Sequence, residues 1–326
     1  DGGDNAGEAY VVFGSASGFG TPVGGRQVID LTDLSASQGF VIQGDSVGNL
    51  AGYSVANAGD INGDGYSDII VGAQLGDDGG NDSGQAYVLF GGAGGFGTYV
   101  NGRQVIDVTA LSPTQGFVIV GDSSSDRAGF SVSSAGDING DGLDDMIVGA
   151  PAAGPGVGLG QAYVIYGSAS DVGASVNGRK VLDVSTLTAS QGFIIDSGNG
   201  AGTLGWSVSS AGDINNDGYD DLIVGAPAGG EAYVIFGGGT GTENTDGGTF
   251  GSFDGDENLS GTAGNDRFTT FGGAAVFHGG AGDDNFTAFG VEFAQIDGGT
   301  GFDLLTISGV DITIDLTDPS APQFQS

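Results

Sequence analysis

The sequence contains no cysteine, and it has only one histidine, one methionine and one tryptophan among its 326 residues. Without cysteine the chain has no thiol nucleophile, disulfide, zinc ribbon or cysteine-bound iron–sulfur cluster. The single histidine, His278, would have to serve any histidine-dependent triad or metal site, and it lies in a glycine-rich stretch. The lack of cysteine fits a secreted protein that is stabilised by something other than disulfides.

Basic residues and long apolar runs are also scarce. Six Lys and Arg face 41 Asp and Glu, so the formal net charge is −35. Because binding to phosphate depends on clustered Lys and Arg, we expect neither nucleic acid nor an anionic membrane as a partner. No run of about 18 apolar residues occurs, so no membrane insertion is predicted. The acidic excess points to cations.

Glycine is abundant, with 70 residues, and such a composition is compatible with disorder. The hydrophobic residues, however, make up 38% of the chain and are concentrated in short β-branched and aromatic runs such as Ala9–Phe13. Runs of this kind, bounded by Gly, Asp or Ser, are typical of short strands. Short turns such as Leu31–Ser37 are the only helical candidates, so the sequence predicts an all-β fold.

A long repeat organises the first three quarters of the chain. The segment Ala51–Ala73 returns at Ala128–Ala150 and again at Leu204–Ala226, with periods of 77 and 76 residues. Four antiparallel strands per unit, recurring radially, describe a β-propeller blade. In one unit the predicted strands are Phe130–Ser134, Asp145–Gly149, Ala162–Gly167 and Gly192–Asp196.

Between the first and second strands of each unit lies the pattern Asp-x-Asn-x-Asp-Gly-x-x-Asp. Oxygen donors at positions one, three, five and nine, with a glycine that permits a sharp turn, suit a hard cation such as Ca²⁺. The same residues also suit tight Asx turns in hairpins, but three copies with every donor kept favour metal. The predicted ligands are the side chains and the main-chain carbonyl of the seventh residue in each loop: Asp60, Asn62, Asp64, Tyr66 (carbonyl) and Asp68; Asp137, Asn139, Asp141, Leu143 (carbonyl) and Asp145; Asp213, Asn215, Asp217, Tyr219 (carbonyl) and Asp221.

The segment Phe130–Pro151 resembles an FG-GAP repeat, the blade motif of integrin α-subunit propellers. The resemblance covers residues 8 to 237 approximately, although the first copy has Gln74 in place of proline and the third opens with Leu204-Gly205-Trp206. It implies a calcium-loaded propeller in an extracellular protein, with structural calcium sites and a ligand surface on other blade loops. No integrin ligand residue can be transferred, because only the blade and calcium motifs match.

The propeller pattern is incomplete, since three calcium loops are present where the resemblance implies seven blades. The sequence begins at the third strand of one unit, and its last unit lacks a fourth strand. Three blades are too few to close a ring, because propellers have about four to eight. We therefore expect either an excerpt of a larger propeller or association with itself, or with further repeats, through exposed edge strands.

A second calcium motif follows a Gly/Thr/Ser-rich linker at 238–252. Gly261–Thr269, Gly279–Thr287 and Gly298–Thr306 resemble the nonapeptide of RTX parallel β-rolls. This predicts calcium between Asp266 and Asp284 and between Asp284 and Asp303, unless the segment is a flexible glycine-rich tail. The resemblance implies bacterial type I secretion and calcium-dependent folding outside the cell. The predicted domains are a propeller region at 1–237 and a roll at 253–326, capped by a strand at 307–316.

Two further sets of residues recur in the repeats. Three arginines occupy equivalent positions, and we expect ion pairs with aspartates at a fixed offset rather than contacts with sugar carboxylate or sulfate. Four tyrosines recur within strands and are interpreted as packing residues. The ion pairs are Arg26 with Asp30, Arg103 with Asp107 and Arg179 with Asp183, and the tyrosines are Tyr10, Tyr87, Tyr163 and Tyr233.

These patterns together predict a non-enzymatic, calcium-binding structural or adhesive module of a secreted bacterial surface protein. The expected cofactor is Ca²⁺, about three ions in the propeller loops and about two in the roll. A lectin-like module that binds polysaccharide on the propeller loops is the alternative. A glycan-active hydrolase with paired carboxylates is a weaker one, because most of the recurring acids already belong to the calcium loops.

Overall fold

The structure is a computed structural model, and it shows an all-β protein. Its only helical elements in the described part are three short 3₁₀ turns, none long or apolar enough to cross a membrane. The chain forms two compact units, the first of Asp1–Gly136, Gly142–Ala211 and Leu222–Val234 and the second of Asp137–Asp141, Gly212–Asp221 and Ile235–Ser326. The described residues are 3–154, 159–170, 172–196, 202–215, 218–238, 249–252, 258–260, 267–270, 275–278, 284–289, 293–298, 304–308 and 323–325.

The strands of the repeats follow one another in a fixed order. A partial repeat contributes β1 (Glu8–Val12), β2 (Thr21–Val23), β3 (Arg26–Val28) and β4 (Gly39–Gln43). The next repeat contributes β5 (Ser54–Gly59), β6 (Asp68–Ala73), β7 (Gln85–Leu89), β8 (Thr98–Val100), β9 (Arg103–Asp107) and β10 (Gly116–Val120). The third contributes β11 (Ser131–Gly136), β12 (Asp145–Ala150), β13 (Gln161–Ile165), β14 (Ala174–Val176), β15 (Arg179–Asp183) and β16 (Gly192–Asp196), and the last β17 (Ser207–Gly212), β18 (Asp221–Ala226) and β19 (Glu231–Ile235).

The two complete repeats confirm the predicted four antiparallel strands. We call β1-β4-β9-β8 the first sheet, β14-β15-β10-β7-β6-β5 the second, β11-β12-β13-β16 the third and β17-β18-β19 the fourth. Each complete repeat also contains a hairpin that the sequence analysis did not predict. The hairpin β14–β15 joins the sheet of the preceding repeat, where β15 pairs in parallel with β10, and β9 pairs in parallel with β4 in the same way. Repeats are therefore joined by shared sheets as well as by packing.

The sheets pack in series, which explains the nearly continuous apolar sequence of their strands. One core cluster joins the first and second sheets and includes Phe40 and Val71. Another joins the second and third sheets and includes Val88 and Met146. The glycine in the second strand of each repeat permits this approach, because a Cβ on Gly72 would lie 2.1 Å from the carbonyl oxygen of Gly129.

The expected ion pairs between each arginine and the following aspartate are wrong. Asp107 instead accepts hydrogen bonds from the N–H (3.0 Å) and hydroxyl (2.6 Å) of Thr109, capping the 3₁₀ turn Val108–Ala110. Asp30 and Asp183 cap the turns Leu31–Asp33 and Val184–Thr186 in the same way. Arg179 lies in the hairpin β14–β15, which joins the sheet of the preceding repeat. There Arg179 contacts Asp78 at 2.6 Å and Asp45 at 3.4 Å. The tyrosine interpretation holds for Tyr87 and Tyr163, which are fully buried.

The C-terminal strands alternate between two parallel sheets. The sheets are β20-β22-β24-β26 and β21-β23-β25-β27, and β24 pairs with strands that lie 18 residues before it and 19 after it. Phe268 and Phe286 stack at 4.6 Å between ring centroids, with Phe277 edge-on at 5.5 Å from Phe268. Most of the predicted capping strand lies outside the described residues. The strands are β20 (Thr249–Ser252), β21 (Asn258–Ser260), β22 (Arg267–Thr270), β23 (Ala275–His278), β24 (Asn285–Phe289), β25 (Phe293–Asp297), β26 (Leu304–Ser308) and β27 (Gln323–Gln325).

Candidate metal centre

The three aspartate-rich loops occupy equivalent places in the fold. They connect β5 to β6, β11 to β12 and β17 to β18, and the last aspartate of each loop is the first residue of the following strand. The predicted ligands are therefore held at both ends by strands. Of the fifteen ligands predicted in these loops, Asp217 lies outside the described residues.

In the first loop, side-chain oxygens turn inward onto the backbone of the loop itself. Oδ1 of Asp60 accepts hydrogen bonds from the N–H groups of Gly63 (2.9 Å) and Asp64 (3.1 Å). Oδ1 of Asn62 accepts from the same Asp64 N–H at 2.8 Å, so the two oxygens lie on one side of the turn. Gly63 and Gly65 have φ values of +74° and +88°, a left-handed conformation that glycine adopts without strain.

The last aspartate of the first loop has a second role that the sequence analysis did not predict. Asp68 is fully buried, and its carboxylate accepts hydrogen bonds from the N–H groups of Ile61 (3.1 Å) and Gly91 (2.8 Å). It thus ties the loop to the end of β7. The pKa of Asp68 is raised to about 6, mainly by burial and in addition by the charges of Asp64 and Asp60, against the lowering effect of these two N–H groups.

The second and third loops repeat this arrangement. Asp137 and Asn139 each accept a hydrogen bond from the N–H of Asp141, at 3.0 and 2.8 Å. Asp213 accepts from the N–H of Gly218 at 3.0 Å. Asp221 is fully buried and accepts hydrogen bonds from the N–H groups of Ile214 (2.8 Å) and Gly237 (2.9 Å). Asp145 is also fully buried and accepts a hydrogen bond from the N–H of Gly167 at 2.8 Å.

An acidic residue that the sequence analysis missed joins consecutive loops. Oδ2 of Asp144 accepts the N–H of Asp60 at 2.7 Å, and the N–H of Asp144 donates to the carbonyl of Asp60 at 3.2 Å. Asp220 makes the same pair of contacts with Asp137, at 3.0 and 3.2 Å. A signal was present, because the second and third loops end in Asp-Asp whereas the first ends in Ser67-Asp68.

The residue types fit a hard divalent cation, but the described residues of the loops do not form an assembled metal site. In the part of the chain that the structure describes, no three acidic or histidine side chains are gathered closely enough to hold a metal ion. The loops fit such a cation because their donors are carboxylate and side-chain amide oxygens around a glycine turn. In the first loop two of these oxygens, from Asp60 and Asn62, lie against the same backbone N–H, that of Asp64. These oxygens accept backbone N–H groups here, so the ligand assignments stay predictions.

The structure describes only one of the three roll aspartates. Asp284 is buried immediately before β24, and its carbonyl oxygen accepts the N–H of Leu304 at 2.7 Å. Asp266 and Asp303 lie outside the described residues. The proposed calcium positions in the roll therefore remain predictions from spacing.

Comparison with known proteins identifies the repeats. The model of the FG-GAP repeat matches residues 51–89, 128–165 and 204–244. The chain is 31% identical to integrin alpha-PS5 of Drosophila melanogaster over 228 residues, which is 70% of this chain and 20% of that protein. Integrin alpha-PS2 of the same species is 28% identical over 67% of this chain, and mouse integrin alpha-IIb 33% identical over 57%. The chain spans 14 to 20% of the length of these relatives.

Proposed function

We propose, from the FG-GAP repeats that relate this chain to integrin α chains, that it is a non-enzymatic calcium-binding module of a secreted bacterial surface or extracellular protein. The observation that supports this most directly is the repetition of one oxygen-rich loop in three repeats, each at the junction of two strands. A turn alone would need only part of the pattern, whereas a hard cation uses all of its oxygens.

In this proposal each loop holds one Ca²⁺ through its aspartate and asparagine side chains and the carbonyl of its seventh residue. Calcium would neutralise carboxylates that otherwise repel one another. In the first loop burial is the main cause that raises the pKa of Asp68, and the charges of Asp64 and Asp60 add to it, so a bound cation would offset this rise. Asp144 and Asp220 each contact the first residue of the preceding loop. Calcium binding that orders one loop would therefore also stabilise the neighbouring loop.

The roll would add about two calcium ions between its stacked coils. The parallel pairing of β22 with β24 and of β24 with β26 supports this, because the paired residues are 18 and 19 residues apart, as the three nonapeptides are. Secretion to the cell exterior, by the type I route, is part of the proposal and rests on the RTX resemblance.

A lectin-like role is the second candidate, and one observation favours it. Tyr53, Phe130 and Trp206 stand at equivalent positions and form a continuous aromatic row, with ring centroids 5.1 and 4.6 Å apart. Tyr53 and Trp206 are each about half exposed. Exposed aromatic faces of this kind can stack on sugar rings. A glycan array in the presence of calcium tests this role, and an array without binding would exclude it for the sugars tested.

Calorimetric titration tests the calcium proposal. We expect about five ions per chain, and about three fewer in a variant that changes Asp64, Asp141 and Asp217 to Asn. The control variant Asp33→Asn changes an exposed aspartate outside the loops and should retain all five. If the triple variant bound as many ions as the unmodified chain, the loop sites would be refuted.

A further inference from the structure

Two junctions between repeats have the same plan but differ in one side chain. At the first junction the hairpin β8–β9 docks on the first sheet, and at the second junction the hairpin β14–β15 docks on the second sheet. Each hairpin is preceded by an apolar residue and a glycine, Phe96-Gly97 and Val172-Gly173, whose glycines have φ values of +71° and +72°. Phe96 and Val172 therefore occupy equivalent places, and the second junction has the smaller side chain.

The sheets that receive these two side chains present the same pair of aromatic rings. At the first junction the ring centroids of Phe13 and Phe40 lie 5.9 Å apart, with an interplanar angle of 53°. At the second junction the ring centroids of Phe90 and Phe117 lie 6.1 Å apart, with an interplanar angle of 52°. The surface that could receive a further ring is thus nearly the same at both junctions.

Phe96 shows what this surface holds at the first junction. Its ring stacks on Phe40 at 4.4 Å between centroids and 15°, and it lies 6.0 Å from Phe13, tilted by 48°. At the second junction Val172 packs against the same core cluster as Phe90. Its isopropyl group is smaller than a benzyl group, and volume that a side chain leaves unfilled remains as a cavity when the surroundings do not collapse.

A pocket of about 200 Å³ lies at the second junction. Its apolar lining comes from Phe90, Phe117, Val172 and Pro113. Pro113 and Ser170, which also lines the pocket, are exposed, so the pocket opens to solvent. An apolar cavity of about 150 Å³ can bind benzene, whereas drug-sized ligands occupy about 300 Å³ or more. The volume therefore suits one aromatic ring with a small substituent.

The rest of the lining is polar, and one of its residues is fixed to the first aspartate loop. The hydroxyl oxygens of Ser168 and Ser170 lie 2.8 Å apart, and the N–H of Ser168 donates to the carbonyl oxygen of Ile61 at 2.7 Å. Asn62 and Lys180 complete the polar lining. A ring that carries a hydroxyl group could hydrogen-bond to this lining while its apolar part meets the phenylalanines.

A second position differs between the junctions in the same direction. Lys180 of β15 is equivalent to Gln104 of β9, since each follows the arginine of its hairpin. Gln104 is 9% exposed, whereas Lys180 is half-buried. The first junction is therefore closed at both positions, and the second is more open at both.

We propose that the pocket at the second junction binds a single aromatic ring with one small polar substituent, of the phenol type. The bound ring takes the place that Phe96 fills at the first junction, and its hydroxyl group meets the polar lining. Only Asn62 is shared with the predicted calcium ligands. The pocket is therefore a site beyond the proposed calcium function, and it is tested with calcium present throughout.

Fluorine NMR titration with 4-fluorophenol tests the pocket. We expect saturable binding at one site in the unmodified chain. Val172→Phe supplies the ring that the second junction lacks, and it should weaken binding by about tenfold or more, because the new ring fills the pocket. Circular dichroism checks that the variant is folded. No binding by the unmodified chain, or binding that Val172→Phe leaves unchanged, would overturn the proposal.

Phe96→Val is the reciprocal variant, and it gives the first junction the side chain of the second. We expect a second binding site for 4-fluorophenol in this variant. A gained site cannot result from unfolding, so this result remains decisive if Val172→Phe does not fold. Tyr99→Val is the matched control, because Tyr99 lies in the same hairpin but is 69% exposed. It should retain one site. A second site in Tyr99→Val, or a single site in Phe96→Val, would contradict the equivalence of the two junctions.

Competition against bound 4-fluorophenol tests the class of ligand. Cyclohexanol has a ring and a hydroxyl group but no aromatic system, so it should compete about two- to tenfold more weakly than phenol. Methyl glucoside should not compete, and a sugar that displaced the probe as well as phenol does would overturn the aromatic assignment. The peptide Gly-Tyr-Gly separates two sources of the same ring. Displacement by the peptide supports a tyrosine side chain of a partner, and displacement by phenol alone supports a free small molecule.

Discussion

The second and third sheets of the first unit are built from the same four-strand repeat, but in the described residues only the second has a hairpin on its outer strand. Their outer strands, Gly-Phe-Val-Ile-Val and Gly-Phe-Ile-Ile-Asp, are almost equally apolar. Every residue of β10 is buried, whereas β16 alternates between partly buried and exposed residues after its first glycine. The comparison shows that the repeat sequence specifies the strand, while the neighbouring repeat determines its burial.

Calcium removal should have the largest effect, and it tests whether the two sheets are alike in their loops. At a calcium concentration 100 times Kd, each site stabilises the folded state by about 2.7 kcal/mol, or about 8 kcal/mol for three loops. We expect Asp64→Asn in the second sheet and Asp141→Asn in the third to remove similar shares of this gain. Urea unfolding with calcium and with EDTA measures the free energy of unfolding that calcium adds in each variant. An equal free energy of unfolding in both conditions would contradict the calcium proposal.

Lysine substitutions in the two outer strands should separate the sheets most clearly. Val118→Lys places a charge at a fully buried position, and we expect a loss of more than about 4 kcal/mol in the free energy of unfolding. Ile194→Lys affects a half-exposed position, and a change within about 0.5 kcal/mol is expected in dilute, monomeric solution. Urea unfolding measures both. A comparable loss in the two variants would mean that β16 is covered in solution even in the monomer.

The main features of the propeller region were predictable because they are local and repeated. The four strands of each complete repeat, and the positions of the three loops, followed from apolar runs that end in Gly and Asp. The 3₁₀ turn Leu31–Asp33 lies within the predicted Leu31–Ser37. These features depend on short-range sequence, so three copies of one unit reinforce each prediction.

The contacts between repeats were not predictable from the spacing of the sequence. Arg103 and Asp107 stand four residues apart at a constant offset, which suggested an ion pair. The pairing failed because β9 joins the first sheet, where Arg103 lies 3.5 Å from the carbonyl of Leu31, and because Asp107 caps a turn. Parallel pairing between strands of consecutive repeats leaves no local signal in the sequence. The role of Asp144 was missed for the same reason, since its partner Asp60 lies 84 residues earlier.

The hydrogen bond from the Asp60 N–H to Asp144, which joins the first two loops, offers a smaller test of the comparison between the second and third sheets. Asp144→Ser gives the second loop the residue that the first loop has, and it removes the acceptor for the Asp60 N–H. We expect a loss of about 1–3 kcal/mol in the free energy of unfolding, because a partly buried N–H donor would lack its charged partner. Ser67→Asp is the matched control. Among the described residues no earlier loop contacts Ser67, so a change within about 0.5 kcal/mol is expected. Similar losses in both variants would show that the contact between Asp144 and Asp60 makes no specific contribution to stability.

The aromatic row should give the smallest effect on stability, and it decides between packing and binding. Trp206→Ala removes a half-exposed ring that lies 4.6 Å from Phe130, and we expect a loss of about 0.5–1.5 kcal/mol in the free energy of unfolding. Trp206→Phe retains an aromatic ring and should restore most of that stability. If the row binds sugar, Trp206→Ala should also abolish glycan-array binding, whereas a packing role changes only the urea midpoint. Because Trp206 is the only tryptophan, its fluorescence reports directly on any ligand at this surface.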